Sequence, residues 1–121
     1  MSTQLRFDLV GLTAAIESGD ARYQCALYSD QAEVIVVRAG ADEPPTVLAG
    51  KQAIQQWVEQ LNAAEAVHQV VESRADGSLF SLTDHFRHPD GRESVYKSTA
   101  KVHRGQIVKQ TVTVVWEDVA F

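Results

Sequence analysis

Apolar positions recur at helical spacing in the first half of the chain and at strand spacing in the second. Leu5, Leu9, Leu12 and Ile16 fall at steps of four and three, which predicts one helix with a single apolar stripe. Ser18-Gly19-Asp20 interrupts it. Gly19 can end a helix in the left-handed conformation, and Asp20 can cap a second, short helix over about Ala21 to Tyr28 by accepting from its free amides. In that helix Tyr23 and Leu27 share a face. Ser29-Asp30 predicts a turn, and the β-branched run Glu33 to Arg38 a strand. Gly40, Pro44 and Pro45 mark Ala39 to Pro45 as a loop, able to lie over the mouth of a pocket. After Gly50, the positions Ile54, Trp57, Val58 and Leu61 follow the i, i+3, i+4, i+7 pattern of an amphipathic third helix.

From residue 67 the period changes to two. Val67 to Ala75, Ser78 to His88, Glu93 to His103 and Gln106 to Trp116 read as strands, separated by Asp76-Gly77, Asp90-Gly91 and Arg104-Gly105. Such dipeptides accept the positive φ that tight hairpins require, so four strands in an antiparallel meander are predicted. Helices first and a meander second define an α+β class rather than a parallel α/β sheet. The expected architecture is a cone-shaped curved antiparallel sheet wrapped around the N-terminal helices, an α+β barrel, formed by residues 1–121 as one domain. A cone of this kind leaves an open end suited to a small ligand.

Composition narrows the functional classes. A length of 121 residues, 45% hydrophobic and 22% charged, suits one globular unit with its own core. A net charge of −5 without a basic stripe argues against nucleic acid. Cys25 is the only cysteine, so it forms no internal disulfide and no thiolate cage; in the apolar run Cys25-Ala26-Leu27 it reads as a buried thiol. No stretch has the length needed to cross a bilayer, and Met1 to Asp8 lacks the pattern of a secretory leader, so a cytoplasmic setting is expected. No metal site and no cofactor are expected: no His/Asp/Glu cluster has ligand spacing, and neither a Gly-rich phosphate loop nor a serine nucleophile elbow is present.

Candidate chemistry lies in the second half. In Ser78 to His88, side chains alternate between faces, so Phe80, Leu82 and Phe86 share the core face and carry Asp84 and His88 with them. A carboxylate there is desolvated, its pKa rises, and it can move protons near neutral pH. The competing reading is a bulge that turns Asp84 to solvent, or a purely structural ion partner. His68 is a candidate acid or base, or else a sheet-edge histidine held by a local bond. Tyr28, Trp57, Tyr96 and Trp116 are amphipathic rings able to wall a pocket that stacks on a ring-shaped ligand, with core packing the plain alternative for Trp57. In the last strand Val108, Gln110, Val112, Val114 and Trp116 form the more apolar face, which would point Gln110 inward as a ligand donor. Ile107, Lys109, Thr111, Thr113 and Val115 form the other, a surface for a homodimer partner. Asp20, Asp30 and Glu17 are accounted for by caps and turns, and His85 and His103 by the outer face.

The run Leu27-Tyr28-Ser29-Asp30-Gln31-Ala32-Glu33-Val34, then Leu48-Ala49-Gly50-Lys51-Gln52-Ala53-Ile54, then Arg104-Gly105-Gln106-Ile107, in this order after two helices, resembles the nuclear transport factor 2-like superfamily. Its small-molecule branch includes SnoaL-type polyketide cyclases, ketosteroid isomerases and scytalone dehydratase. The resemblance covers nearly the whole chain and implies a cone-shaped α+β fold, often dimeric. Ketosteroid isomerases place an aspartate base on the first strand, where this chain has Val34, Ile35, Val36 and Val37, and an acid near the position of Ser98, so their own chemistry is not implied. Scytalone dehydratase has pocket histidines at positions resembling His68 and His88, and an aspartate at one resembling Glu17. The resemblance implies a small-molecule lyase or isomerase without a cofactor, and the inward reading of Asp84 beside His68 makes these two the expected proton-transfer pair, acting on a small hydrophobic or ring-containing molecule. A non-catalytic ligand binder and a dimeric assembly module of the same fold stand as alternatives.

Overall fold

The computed structural model describes residues 7–117. Leu5 lies outside them. The elements are α1 (Leu9–Ser18), α2 (Ala21–Ala26), β1 (Tyr28–Arg38), β2 (Thr46–Ala49), α3 (Lys51–Ala63), β3 (Val67–Asp76), β4 (Leu79–Arg87), β5 (Glu93–His103) and β6 (Gln106–Glu117).

The helix boundaries are set by local chemistry. Asp8 caps α1 by accepting from the Gly11 amide at 2.9 Å, and Gly19 ends it at φ 75°, ψ 26°. Asp20 caps α2 by accepting from the Tyr23 amide at 3.1 Å, and such a side-chain cap stabilises a helix by about 1 kcal/mol. The second helix is shorter than expected, because Tyr28 already belongs to β1. Gly50 opens α3 at φ 88°, which a side chain would resist, while its amide donates to the Ala32 carbonyl at 2.8 Å. Within α3, Ile54 and Val58 are fully buried, as their spacing predicts.

All six strands join one sheet in the order β2-β1-β6-β5-β4-β3. The predicted meander β3 to β6 is present, and its turns carry Gly77, Arg104 and Gly105 at positive φ. One feature differs from expectation: β1 lies parallel to β6, so the otherwise antiparallel sheet has one parallel seam. The curved sheet is unclosed, in keeping with the expected cone, with β2 and β3 as its edges. The short strand β2 escapes sequence reading because Thr46, Val47 and Ala49 are exposed and only four residues pair with β1.

Three irregularities shape the cone. Between Tyr28 and Glu33 the register against β6 breaks, which is where Ser29-Asp30 suggested a turn. In β3, Val71 is left out of the pairing with β4. In β6, Val108 is left out of the pairing with β5. This last bulge turns Ile107 into the core at 0% exposure, although simple alternation assigned it to the outer face. Helix α1 packs on β3, and α3 on β1 and β2, with α2 between the two helices. The core between helices and sheet is built from Leu12, Tyr28, Val34, Ile54, Val58, Phe80, Leu82 and Val112, among others.

Candidate functional site

Strand β4 pairs with β5 without a break from Leu79↔Lys101 to Arg87↔Glu93. Unbroken pairing preserves the two-residue alternation, so Phe80, Leu82, Asp84 and Phe86 all face the helices and are buried. The bulge that would have turned Asp84 outward is absent from β4 and lies instead in β3. Upstream of that bulge, β3 pairs His68 with Phe86 and Val70 with Asp84. His68 is therefore the diagonal neighbour of Asp84 on the same face, a position from which a long side chain can reach across. The His68 Nδ1 lies 3.2 Å from Asp84 Oδ2, and both side chains are more than nine-tenths buried.

The aromatic residues hold this pair. The Phe86 ring lies against His68, with centroids 3.9 Å apart, and stacks on Tyr96 at 4.1 Å. Burial pushes the Asp84 carboxyl above the ordinary carboxylate range; the hydrogen bond from His68 opposes this without cancelling it, and the Glu17 charge adds to it. Oδ1 of Asp84 is covered and has no hydrogen-bond partner among the described residues. Glu17, at the end of α1, accepts from the Val70 amide at 3.0 Å and so ties the helix to β3 at its bulge. That bond is structural, as expected for Glu17, but it also fixes the strand that carries His68.

A second polar cluster lines the same cavity on the neighbouring strands. The Tyr28 hydroxyl donates to Gln110 Oε1, and Gln110 Nε2 donates to Ser98 Oγ at 3.1 Å. Burial pushes the Tyr28 phenol up, so it remains a neutral donor. Gln110 points inward, as the pattern of β6 predicted, and is buried with Val112 and Val114.

The cavity beside both clusters is lined by Tyr28, Trp57, His68, Asp84, Tyr96 and Gln110 together with apolar neighbours. Its volume is about 40 Å³, and it opens to solvent on one side. At roughly 10–15 Å³ per water, it takes about three waters, well below the ~150 Å³ void that accepts a benzene ring. A molecule of a few heavy atoms fits there, and a ring would have to sit in the mouth.

Two of the residues expected in the pocket do not reach it. His88, just beyond β4, bonds Ser94 Oγ at 3.0 Å through Nε2. It stacks on Trp116 at 4.9 Å, and Trp116 in turn lies under the Arg92 guanidinium and is 37% exposed. Both belong to a surface stack at the far end of β6, because alternation continues past the point where the helices cover the sheet. Conversely, Ser98, Gln24 and Asn62 line the cavity without having been singled out as pocket residues. Ser98 was legible in principle, since it shares a face with Tyr96 two residues away. Beyond Tyr28 the inward residues of β1, Ala32 and Val34, are apolar and fully buried, so that strand places no carboxylate in the cavity. Cys25 is buried and its thiol pKa is raised by desolvation. Among the described residues, no group of three or more His, Cys, Asp or Glu could hold a metal, and no helix is long and apolar enough to cross a membrane.

The chain is thus an open, curved sheet with helices over its concave face and a cavity between them. That fold is NTF2-like. An NTF-2-like protein of unknown function from Burkholderia xenovorans LB400 matches at TM-score 0.70 and 18% identity, over 93% of this chain and 84% of its own. A candidate ketosteroid isomerase from Kribbella flavida matches at TM-score 0.67 and 15% identity, over 93% and 76%. IdmH from Streptomyces antibioticus, a candidate polyketide cyclase, matches at TM-score 0.66 and 18% identity, over 88% of both chains. No family model matches the chain, and no curated protein matches it closely in sequence. The structural likeness therefore establishes the fold, which is the one the sequence resemblance implied.

Proposed function

We propose that the chain is a cofactor-independent lyase or isomerase that moves a proton on a small molecule carrying a carbonyl or hydroxyl group. The observation that carries this reading is the buried Asp84–His68 pair on the cavity wall. A carboxylate with a raised pKa, held through one oxygen by an imidazole, can accept a proton from carbon or oxygen and return it nearby. Its unpartnered Oδ1 offers a second acceptor with no competing bond. A buried charge without full hydrogen bonding is costly, and such costs cluster where chemistry needs them.

The test is hydrogen exchange at the carbon next to a small ketone. Butanone in deuterated buffer should exchange its α-hydrogens faster with the protein than without, and the rate should climb with pH through the raised Asp84 pKa, because the base must be ionised. Exchange that matches buffer alone, or that survives unchanged in Asp84→Asn, would reject the assignment. In that case the same cavity is better read as a binding site without catalysis.

We also infer a homodimer through the outer sheet face, where Thr111, Thr113 and Val115 stand half-buried beside the exposed Lys97. The support is the uncharged run Thr111, Thr113 and Val115 at the middle of this face. Sedimentation should give twice the chain mass, reverting to one on Thr113→Glu; a monomer at every concentration would dismiss the dimer.

A further inference from the structure

One length of sheet edge stays open in this fold. Edge strands carry unpaired backbone groups that invite another strand, and proteins usually blunt them. β2 is blunted, being four residues long and preceded by Pro44-Pro45. The first half of β3 is blunted too, because the Val70 amide donates to Glu17 and Val71 bulges out of the pairing. Beyond that bulge the strand is exposed on both faces as far as Asp76. Charges of one sign would close it to a second strand, but Glu72, Arg74 and Asp76 alternate in sign. The Val70 amide also shows which backbone groups face outward. It points away from β4, so Asp84, its opposite number, turns its own backbone groups toward β5. β4 is regular, so Leu82 and Phe80 do the same, and their partners Ser73 and Ala75 present amide and carbonyl to the open edge. Glu72 and Arg74 pair with Thr83 and Ser81, so their side chains stand on the face away from the helices. Among the described residues neither makes an ion pair.

We propose that a second copy of the chain adds to this edge, β3 against β3 in the antiparallel sense, about a two-fold axis at Ser73. Charge complementarity selects both the partner and the register. With Ser73 opposite its counterpart, the two residues exchange both backbone hydrogen bonds, and Glu72 falls opposite Arg74 of the second copy on each side of the axis. These flanking pairs are of the non-hydrogen-bonded kind, in which side chains approach most closely. Two cross-strand ion pairs therefore form where each chain alone has none. Sliding the strands by two residues either way sets Arg74 against Arg74 or Glu72 against Glu72. Sliding them by four keeps only Arg74 to Asp76 in register, since Gly77 turns the chain away at φ 62°. Glu17 stops the ladder at its other end, at Val70. The contact is short, so it is weaker than a standard interface and forms at high concentration. It shares no residue with the outer-face dimer and stands without it.

The experiment is sedimentation equilibrium of the full chain carrying Thr113→Glu, which removes the outer-face contact, taken up to millimolar concentration at low salt. This chain should pass reversibly from one copy to two as concentration rises. Glu72→Arg or Arg74→Glu, each added to it, should weaken the association by about tenfold or more, because each sets like charges opposite one another on both sides of the axis. An equimolar mixture of the two variants should associate again. One chain then carries two cations and the other two anions at the facing positions, and the recovery verifies that both variants are folded. A single copy at every concentration, association untouched by either substitution, or a mixture that associates no better than its components would each overturn the assignment.

Discussion

Asp84→Asn is expected to slow α-hydrogen exchange by roughly 10²–10⁴-fold, the usual contribution of a positioned general base, while leaving the protein at least as stable as the wild type near neutral pH. The amide fills the same space and can still bond His68, so the pocket geometry survives. What disappears is the desolvated charge, with an oxygen that no donor satisfies. The stability difference should also depend on pH in a defined sense. The folded-state pKa of Asp84 is raised, chiefly by burial, above an unfolded value of about 3.9. Within that window the folded state binds more protons than the unfolded one, so the wild type loses stability as pH climbs. The loss is absent below the unfolded pKa and complete above the folded one. Asp8 and Asp90, whose pKa values are lowered by hydrogen bonds, titrate in both proteins and cancel in the comparison. Urea unfolding of the two proteins from pH 4 to 8 should show curves that diverge in favour of the variant. A variant that loses ground as pH rises would mean that the ionised pair stabilises the fold, and Asp84 would then be a structural residue.

Phe86→Ala carries the second large effect, a loss of roughly 3–5 kcal/mol. Phe86 is 2% exposed and is in contact with both His68 and Tyr96. Removing it takes away its burial and leaves a void that a twisted sheet closes only in part. The imidazole then has no surface to lie on, so its bond to Asp84 Oδ2 should loosen together with the fold. A lowered urea midpoint at unchanged slope would show the stability loss, and a drop of less than 1 kcal/mol would mean that the strands can collapse onto the space. Phe86 thus links the energetics of the core to the geometry of the site, although it has no polar atom of its own.

Much of this was legible in the chain because it is local. The stripe Ile54, Trp57, Val58, Leu61 needs only the helical repeat, and Gly19 and Asp20 end and begin helices through their own backbone and side-chain chemistry. The inward placement of Asp84 followed from alternation with Phe80, Leu82 and Phe86, and held because β4 is regular. Gln110 followed in the same way. Alternation failed where a strand is not regular. Ile107 faces the core because Val108 bulges, and no composition marks that bulge. It also failed where the helices stop covering the sheet: His88 and Trp116 keep their phase but emerge at the surface, since the extent of cover is a property of the packed whole.

By itself the amino-acid order determined the class of fold, the turns and the face on which each side chain of a regular strand stands, since these depend on neighbours a few residues away. Only tertiary structure decided that β1 runs parallel beside β6, that His68 meets Asp84 across two strands, and that Tyr28, Gln110 and Ser98 join in one relay. Those contacts join residues 12 to 82 positions apart, and their register is set by bulges and by the closing of the sheet around α1 and α3. The chemistry of the cavity is therefore a consequence of long-range pairing, whereas the scaffold that carries it is written in short-range pattern.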